Sequence, residues 1–250
     1  MKLSTIVPLL LLFAASASAQ WEIAATEKLA APAGLDFVRS TARTDGQTVD
    51  IHRVSFDPKQ HTFAVMDNPE GAFSLATAAE KRGALAAVNG GYFHADRTPL
   101  GLVVRQGKTL HGFERAKLLS GIVSVRDRKV SIQRAVGFKS GGVQEALQAG
   151  PFLVENGQPI SGLNNTRSAA RTVVFTDSVG RAGFLITNRG TLAETATLLA
   201  TPGVLGSAKI SRALNLDGGS STAMWVRGDP PYHRRELKGV RNYLAIVPAR

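Results

Sequence analysis

The chain has 250 residues, of which 44% are hydrophobic and 20% charged, and it contains 25 glycines and no cysteine. This composition is typical of a globular protein and excludes a disordered or fibrous chain, and without cysteine there can be no disulfides, thiol nucleophiles or cysteine-ligated zinc. The 30 basic residues exceed the 19 acidic residues and give a net charge of +11, which suits either an anionic partner or a solvated basic surface.

The first segment in chain order has the pattern of a secretory leader. Met1-Lys2 gives a positive start, residues 6–15 are an apolar run, and Ala17-Ser18-Ala19 fits the small-residue cleavage rule. The run is shorter than the roughly 20 residues that a membrane span needs. We therefore expect a signal peptide over 1–19 and a single domain over 20–250, which is periplasmic or secreted. No stable membrane insertion and no nucleic-acid partner are expected, and the sequence leaves the oligomeric state open.

Short alternating segments bounded by turn residues predict a chain rich in strands. Helices are predicted over 74–82, with Ser74 as the N-cap, over 143–148, and after the capping box of Thr191 to Glu194. Because strands dominate and βαβ alternation is missing, we expect an α+β fold with a mixed or antiparallel sheet and a few flanking helices. The predicted strands cover 48–56, 62–66, 84–88, 102–105, 122–125, 129–132, 172–176, 183–187, 213–216, 222–226 and 243–247.

Three glycine-rich turns adjoin predicted strands. They are Asn89-Gly90-Gly91-Tyr92, the turn at Gly150-Pro151, and Asn215-Leu216-Asp217-Gly218-Gly219-Ser220-Ser221-Thr222. Glycines let the backbone approach a ligand closely, and the N–H groups of such turns bind anions. Each turn taken alone is equally typical of an ordinary tight hairpin. Arg171-Thr172 opens a predicted strand, where an arginine is either a solvated charge or a fork for two phosphate oxygens.

Other common chemistries lack their sequence patterns. The chain has no GxSxG, no Walker loop and no GxGxxG, and its five histidines form no HExxH. Asp217 is the one carboxylate that lies in a turn suited to a catalytic site. Folding could bring Glu145 or Asp177 close to it as a second carboxylate. We predict no metal ligand set and no cofactor, although a Ca²⁺ or Mg²⁺ ion held by Asp217 and turn carbonyls is a further arrangement.

The three turns and Arg171-Thr172, in this order over residues 89–222, resemble the phosphodiester glycosidase family, whose lysosomal member removes N-acetylglucosamine from a phosphodiester. The family often has a proline before the Arg-Thr pair, where this chain has Ala170. The resemblance implies an exported hydrolase that cleaves a sugar-1-phosphodiester in an envelope or extracellular glycan. The sugar, the aglycone and the anomeric outcome stay open.

The resemblance also implies roles for individual residues. Arg171 and the turn N–H groups would orient the phosphate, Asp217 would act as nucleophile or as base for a water, and Asn89 would hold sugar hydroxyls or a phosphate oxygen. The alternative is a non-catalytic module that binds a phosphorylated envelope glycan. The expected substrate-binding residues are Gly90, Gly91, Tyr92, Gly150, Thr172, Asn215, Gly218, Gly219, Ser220, Ser221 and Thr222.

Overall fold

Short strands make up most of the structure, a computed structural model that describes residues 20–249. The expected leader over 1–19 therefore lies outside the described residues. The helices are α1 (Leu75–Arg82) and α2 (Leu192–Ala200), with a 3-10 turn at Gly219–Ser221. The strands are β1 (Glu22–Leu29), β2 (Leu35–Thr44), β3 (Gln47–Phe56), β4 (His61–Asp67), β5 (Ala86–Asn89), β6 (Val103–Arg105), β7 (Lys108–His111), β8 (Gly121–Arg126), β9 (Lys129–Arg134), β10 (Val143–Ala149), β11 (Phe152–Glu155), β12 (Gln158–Pro159), β13 (Arg171–Asp177), β14 (Ala182–Thr187), β15 (Ile210–Asn215), β16 (Met224–Val226), β17 (Tyr232–Arg234) and β18 (Asn242–Pro248).

The strands form three sheets. The largest has the order β1-β2-β3-β14-β13-β15-β11-β12, and the two five-stranded sheets have the orders β7-β6-β10-β8-β9 and β17-β16-β5-β18-β4. Neighbouring strands within these sheets pair antiparallel. Of the described residues, 47% lie in strands and 9% in helices, so the fold is mainly antiparallel β and the expected α+β class overstates its helical content.

Two of the three predicted helices are confirmed. Ser74 caps α1 by accepting a hydrogen bond from the Thr77 N–H, and Thr191 and Glu194 form the capping box of α2. The helix predicted over 143–148 is wrong, because this segment is the strand β10. Its Gln, Glu, Ala and Leu residues favour a helix when taken alone. However, β10 lies between β6 and β8 and is hydrogen-bonded on both sides, so tertiary pairing overrides that preference.

One apolar core joins the three sheets. Val174, Leu147 and Val88 represent the largest, second and third sheets in this cluster, and each is fully buried. The helices cover outer faces: α2 packs on the largest sheet and α1 packs on the third sheet. None of the helices within residues 20–249 is long and apolar enough to cross a membrane.

The sheet pairing brings several strand ends to one place. Strands β13 and β11 both run antiparallel to β15, so the end of β15 meets the start of each of them. The turn between β10 and β11 therefore lies beside Asn215, the last residue of β15, and Arg171 begins β13 close by. The predicted turns come together here.

Candidate functional site

The first turn is anchored by Asn89, the last residue of β5. Its side chain is 0% exposed, and its Oδ1 accepts hydrogen bonds from Thr172 Oγ1 at 2.7 Å and from the Ala223 N–H at 3.1 Å. Its Nδ2 donates to the backbone oxygen of Asp217 at 2.7 Å. These bonds direct both the oxygen and the nitrogen of the Asn89 amide to protein groups, whereas the resemblance implied contacts with sugar hydroxyls or a phosphate oxygen. The geometry instead supports a positioning role, in which Asn89 fixes the turn that carries Asp217.

Gly90 and Gly91 fit against Asn242, the first residue of β18. The Gly91 N–H donates to Asn242 Oδ1 at 2.8 Å, and a Cβ atom added to Gly90 would overlap with the same oxygen. The backbone oxygen of Gly90 accepts a hydrogen bond from the Asp217 N–H at 3.1 Å. The first and third turns are thus joined directly. Position 90 requires a glycine because the Asn242 side chain leaves no room for a Cβ atom.

Asp217 lies half-buried at the start of the third turn. Its Oδ1 accepts a hydrogen bond from the Gly218 N–H at 2.8 Å. Burial raises the pKa of the Asp217 carboxyl above its usual value, and interactions with Ser221 and the Gly218 N–H oppose the increase. A Cβ on Gly218 would come within 2.8 Å of the Ala170 oxygen, so glycine is needed for the third turn to pack against the segment before β13.

The second turn is tied to the first by Tyr92. Its hydroxyl donates to the Gly150 oxygen at 2.7 Å and accepts from Asn215 Nδ2, also at 2.7 Å. Burial raises the pKa of Tyr92, the charge of Asp217 raises it further, and Asn215 and Arg171 lower it. The charges of both Asp217 and Arg171 therefore act on the Tyr92 hydroxyl. Together with the Asn89 bonds, this network confirms that the three predicted turns converge.

Arg171 is a buried cation, 8% exposed, at the start of β13. Its Nε donates to the Gly190 oxygen at 2.8 Å and its Nη2 to the Arg167 oxygen at 2.6 Å. Among residues 20–249, no carboxylate lies within 4.0 Å of its guanidinium. Burial lowers its pKa, yet an arginine stays protonated in proteins. Three of its five N–H groups thus have no acceptor in the described structure.

Not every expected binding residue is accessible. The side chains of Thr172, Asn215 and Thr222 are at most 2% exposed, so they lie behind the surface of the site instead of facing a ligand. Thr172 donates a hydrogen bond to Asn89, as described above, whereas Thr222 Oγ1 has no hydrogen-bond partner in the part of the chain that the structure describes. Ser220 is exposed, and Ser221 is 7% exposed beside Asp217.

The two carboxylates that folding could have added are elsewhere. Glu145 accepts hydrogen bonds from the Val65 and Gln106 N–H groups, and Asp177 accepts from the N–H groups of its own hairpin. Glu145 also lines a cavity of about 650 Å³ between β4 and β10 that includes no residue of the three turns. Within residues 20–249, no cluster of three His, Asp or Glu side chains could hold a metal ion. Asp217 is thus the carboxylate that the described site contains.

Sequence reasoning missed Asn242 and the two carbonyl groups that hold Arg171. Asn242 lies 151 residues from Gly91 in the chain, and no turn or motif marks it. The carbonyl groups of Arg167 and Gly190 belong to loops, and any residue type can supply such an acceptor. Only the three-dimensional pairing of β13 with its neighbours identifies them.

The family's sequence profile, described as phosphodiester glycosidase, matches residues 82–247. No curated protein matches the chain significantly. The catalytic domain of zebrafish N-acetylglucosamine-1-phosphodiester alpha-N-acetylglucosaminidase, auto-inhibited by its pro-peptide, is similar with a TM-score of 0.64 and 16% identity, over 91% of this chain and 88% of that one.

Two further solved structures share the fold. A hypothetical protein from Synechocystis has a TM-score of 0.60 and 17% identity over 86% of this chain, which spans 62% of that protein. A candidate exported protein from Burkholderia pseudomallei has a TM-score of 0.58 and 12% identity, over 83% of this chain and 77% of that one. The structural likenesses concern the fold alone, whereas the profile match covers more than half of the sequence. The chain therefore belongs to the phosphodiester glycosidase family.

Proposed function

We propose that this protein hydrolyses a sugar-1-phosphodiester. The observation that carries the proposal is the buried guanidinium of Arg171, which has no carboxylate partner within residues 20–249. Two carbonyl groups hold it, and its three other N–H groups have no acceptor in that part of the chain. A buried charge without a counterion is costly, and a phosphate bound by the guanidinium fork would supply one. The half-buried Asp217 in the same turn network then lies near the sugar side of that phosphate.

One carboxylate is sufficient for this reaction. Ordinary glycosidases use two, because the leaving alcohol must be protonated. In a sugar-1-phosphodiester the bond from the anomeric carbon to the phosphate oxygen breaks, and a phosphate monoester leaves with the electron pair. This leaving group is a weak base that needs little protonation. The described site, with Asp217 and no second carboxylate, suits this chemistry better than it suits an ordinary glycoside.

The roles follow from the contacts. Arg171 binds two phosphate oxygens. The turn N–H groups that the sequence suggested for this task are used within the protein, because Gly218 donates to Asp217 Oδ1 at 2.8 Å and Gly219 donates to the Ala170 oxygen at 2.8 Å. Asp217 acts at the anomeric carbon, either as nucleophile or as base for a water. Asn89 and Tyr92 are positioning residues, because their side chains bond to the protein and hold the turns together. We propose that the enzyme is exported and that its substrate is a phosphorylated envelope or extracellular glycan, in keeping with the leader pattern and the net charge of +11.

The test is a substrate panel. The purified chain beginning at Gln20 is assayed on sugar-1-phosphodiesters and on methyl glycosides of the same sugars, whose leaving alcohol does need protonation, with and without EDTA. We expect hydrolysis of at least one phosphodiester and little or none of the matched glycoside. Binding of the phosphodiesters without turnover would instead support a phosphoglycan-binding module, and loss of turnover with EDTA would support a divalent cation at Asp217.

A further inference from the structure

A second arginine borders the candidate site. Arg234, the last residue of β17, donates from Nη1 to the backbone oxygen of Thr187 at 3.4 Å. Arg171 donates to the backbone oxygen of Gly190, three residues further along the same segment. Three residues span at most about 11 Å of chain, so the two guanidinium groups bond to neighbouring points of one short segment. Thr187 is also the direct pairing partner of Arg171 across β13 and β14.

The segment that carries Arg234 also borders the Asp217 turn. β17 pairs with β16, the strand that follows the Asp217 turn. Three residues after Arg234, the Leu237 N–H donates to the Ser220 oxygen at 2.8 Å. Arg234 therefore lies between the segment that holds Arg171 and the turn that carries Asp217, although no motif in the sequence points to it.

The charge of Arg234 is available to a ligand. Within residues 20–249, no carboxylate lies within 4.0 Å of its guanidinium, and one side-chain hydrogen bond, to Thr187, is present. Arg39 on β2 lies opposite His52 on β3 and has Asp50 at 4.0 Å. Burial lowers the pKa of His52, and the charges of Arg39 and Arg234 lower it further against the opposing effect of Asp50. The local potential is thus positive.

Aromatic packing fixes the strand that bears Arg234. The ring of Tyr232 stacks on His52 with a centroid distance of 4.9 Å and meets the ring of Phe37 edge-on at 5.1 Å. Phe37 is 1% exposed and belongs to the core shared by the sheets. Because Tyr232 is anchored in this way, the backbone two residues on has a defined position. Arg234 is therefore presented from a rigid element, as a binding residue requires.

We propose that Arg234 forms a second anion subsite, which binds a negatively charged group on the aglycone of the substrate, a few bonds beyond the phosphodiester held by Arg171. The inference rests on the proposed function for the identity of the first anion. It narrows the substrate class to sugar phosphodiesters whose aglycone carries a further phosphate or carboxylate. An arginine suits this task because its fork can bind two oxygens of one anionic group.

Binding of two simple probes tests the subsite without turnover. Isothermal titration compares methyl phosphate with 1,3-propanediol bisphosphate for the wild type, Arg234→Gln and the control Arg128→Gln. Arg128 is an exposed residue in the turn at the far end of β8, away from the pairing of Gly121 with Ala149 next to the second turn. We expect the wild type and the control to prefer the bisphosphate by about tenfold or more, since a hydrogen bond to a charged group is worth about 1.5–3 kcal/mol. Arg234→Gln should lose most of this preference.

Turnover separates this proposal from the proposed function. For one sugar, the ratio of kcat/KM between a phosphate-bearing and a methyl aglycone should fall about tenfold in Arg234→Gln and stay unchanged in Arg128→Gln. An unchanged bisphosphate preference in Arg234→Gln, or none in the wild type, would overturn the subsite. A preference that depends on Arg234 without hydrolysis of either substrate would refute the proposed function and retain the subsite.

Discussion

Arg171 combines burial with an incomplete set of hydrogen bonds. Its two carbonyl acceptors fix the plane of the guanidinium, and the remaining N–H groups have no acceptor within residues 20–249. A lysine at this position would keep the charge but could not reproduce the planar fork. The Arg171 side chain is therefore expected to orient a bound phosphate as well as to supply a positive charge.

For Arg171→Lys we expect kcat/KM on a sugar-1-phosphodiester to fall by about tenfold to a hundredfold, because at least one charge-assisted hydrogen bond is lost. Steady-state kinetics with Arg128→Lys as the matched control measures the effect. Wild-type kinetics in Arg171→Lys would show that the bidentate fork is not used.

Asp217→Asn should change how stability depends on pH. Burial raises the pKa of Asp217 in the folded state, so between its unfolded and folded pKa values the native state binds more protons than the unfolded state. The contribution of this group to stability therefore falls as the pH rises through that window. We expect Asp217→Asn to be more stable than the wild type at pH 7, with the gain vanishing below about pH 4, near the ordinary aspartate pKa.

Chemical denaturation at several pH values measures this difference, and Asp45→Asn, in the exposed turn between β2 and β3, controls for the change in charge. A gain in stability that is the same at pH 4 and pH 7 would show that ionisation of Asp217 carries no folding cost.

At the residue scale, the sequence indicates the charged residues of the site better than the residues that hold them in position. Asp217 precedes two glycines, and Arg171 precedes a predicted strand. Both are local features that can be read from the sequence. The positioning role of Asn89 depends on partners more than 80 residues away, and so does the contact of Asn242 with the first turn. Such contacts arise from strand pairing between distant segments, which local patterns do not encode.

The turns act as elements whose shape depends on particular glycines. A Cβ on Gly150 would overlap with the Leu118 oxygen and come within 2.8 Å of the Ser120 nitrogen, both of them backbone atoms. Gly46 has a φ of +81° and nothing within 4 Å of its added Cβ. Substitution at Gly46 therefore carries only the cost of a left-handed backbone, whereas Gly150 also requires the second turn to move.

We expect Gly46→Ala to destabilise the fold by about 1 kcal/mol and Gly150→Ala by several times more. Urea denaturation followed by circular dichroism compares the two variants. Gly150→Ala should also reduce turnover, because movement of the second turn would displace the Gly150 carbonyl oxygen, which accepts a hydrogen bond from the Tyr92 hydroxyl. Equal destabilisation of both variants would argue against close packing at the second turn.

At the element scale, strands with clear alternation are predictable and those without it are not. The predicted strand over 48–56 matches β3, in which the alternating apolar residues Val49, Ile51, Val54 and Phe56 are buried. β1 was not predicted, because it is an edge strand with mostly exposed residues and no apolar face. β10 was predicted as a helix, because the residues that pack inside the protein also favour helices. In both cases the neighbouring strands decide the structure.

The whole molecule carries a net charge of +11, which includes the buried Arg171 and the half-buried Arg234. Long-range attraction of an anionic substrate is screened by salt, since the Debye length falls from about 10 Å at 0.1 M to about 3 Å at 1 M. We expect kcat/KM for a phosphodiester to fall several-fold as NaCl rises over this range, with a smaller change in kcat. Binding of the free, uncharged sugar should not vary with salt, and salt-independent kcat/KM would contradict electrostatic attraction.

Family membership and fold agree at the scale of the whole molecule, whereas the proposed reaction depends on one carboxylate in one turn. The most direct test is single-turnover hydrolysis of a sugar-1-phosphodiester by Asp217→Asn, with substrate binding measured on the same preparation. The account predicts that the rate falls by about 10³-fold or more while the substrate still binds, because the amide keeps the shape of the turn and removes the reacting charge. A rate close to that of the wild type would contradict the catalytic role of Asp217.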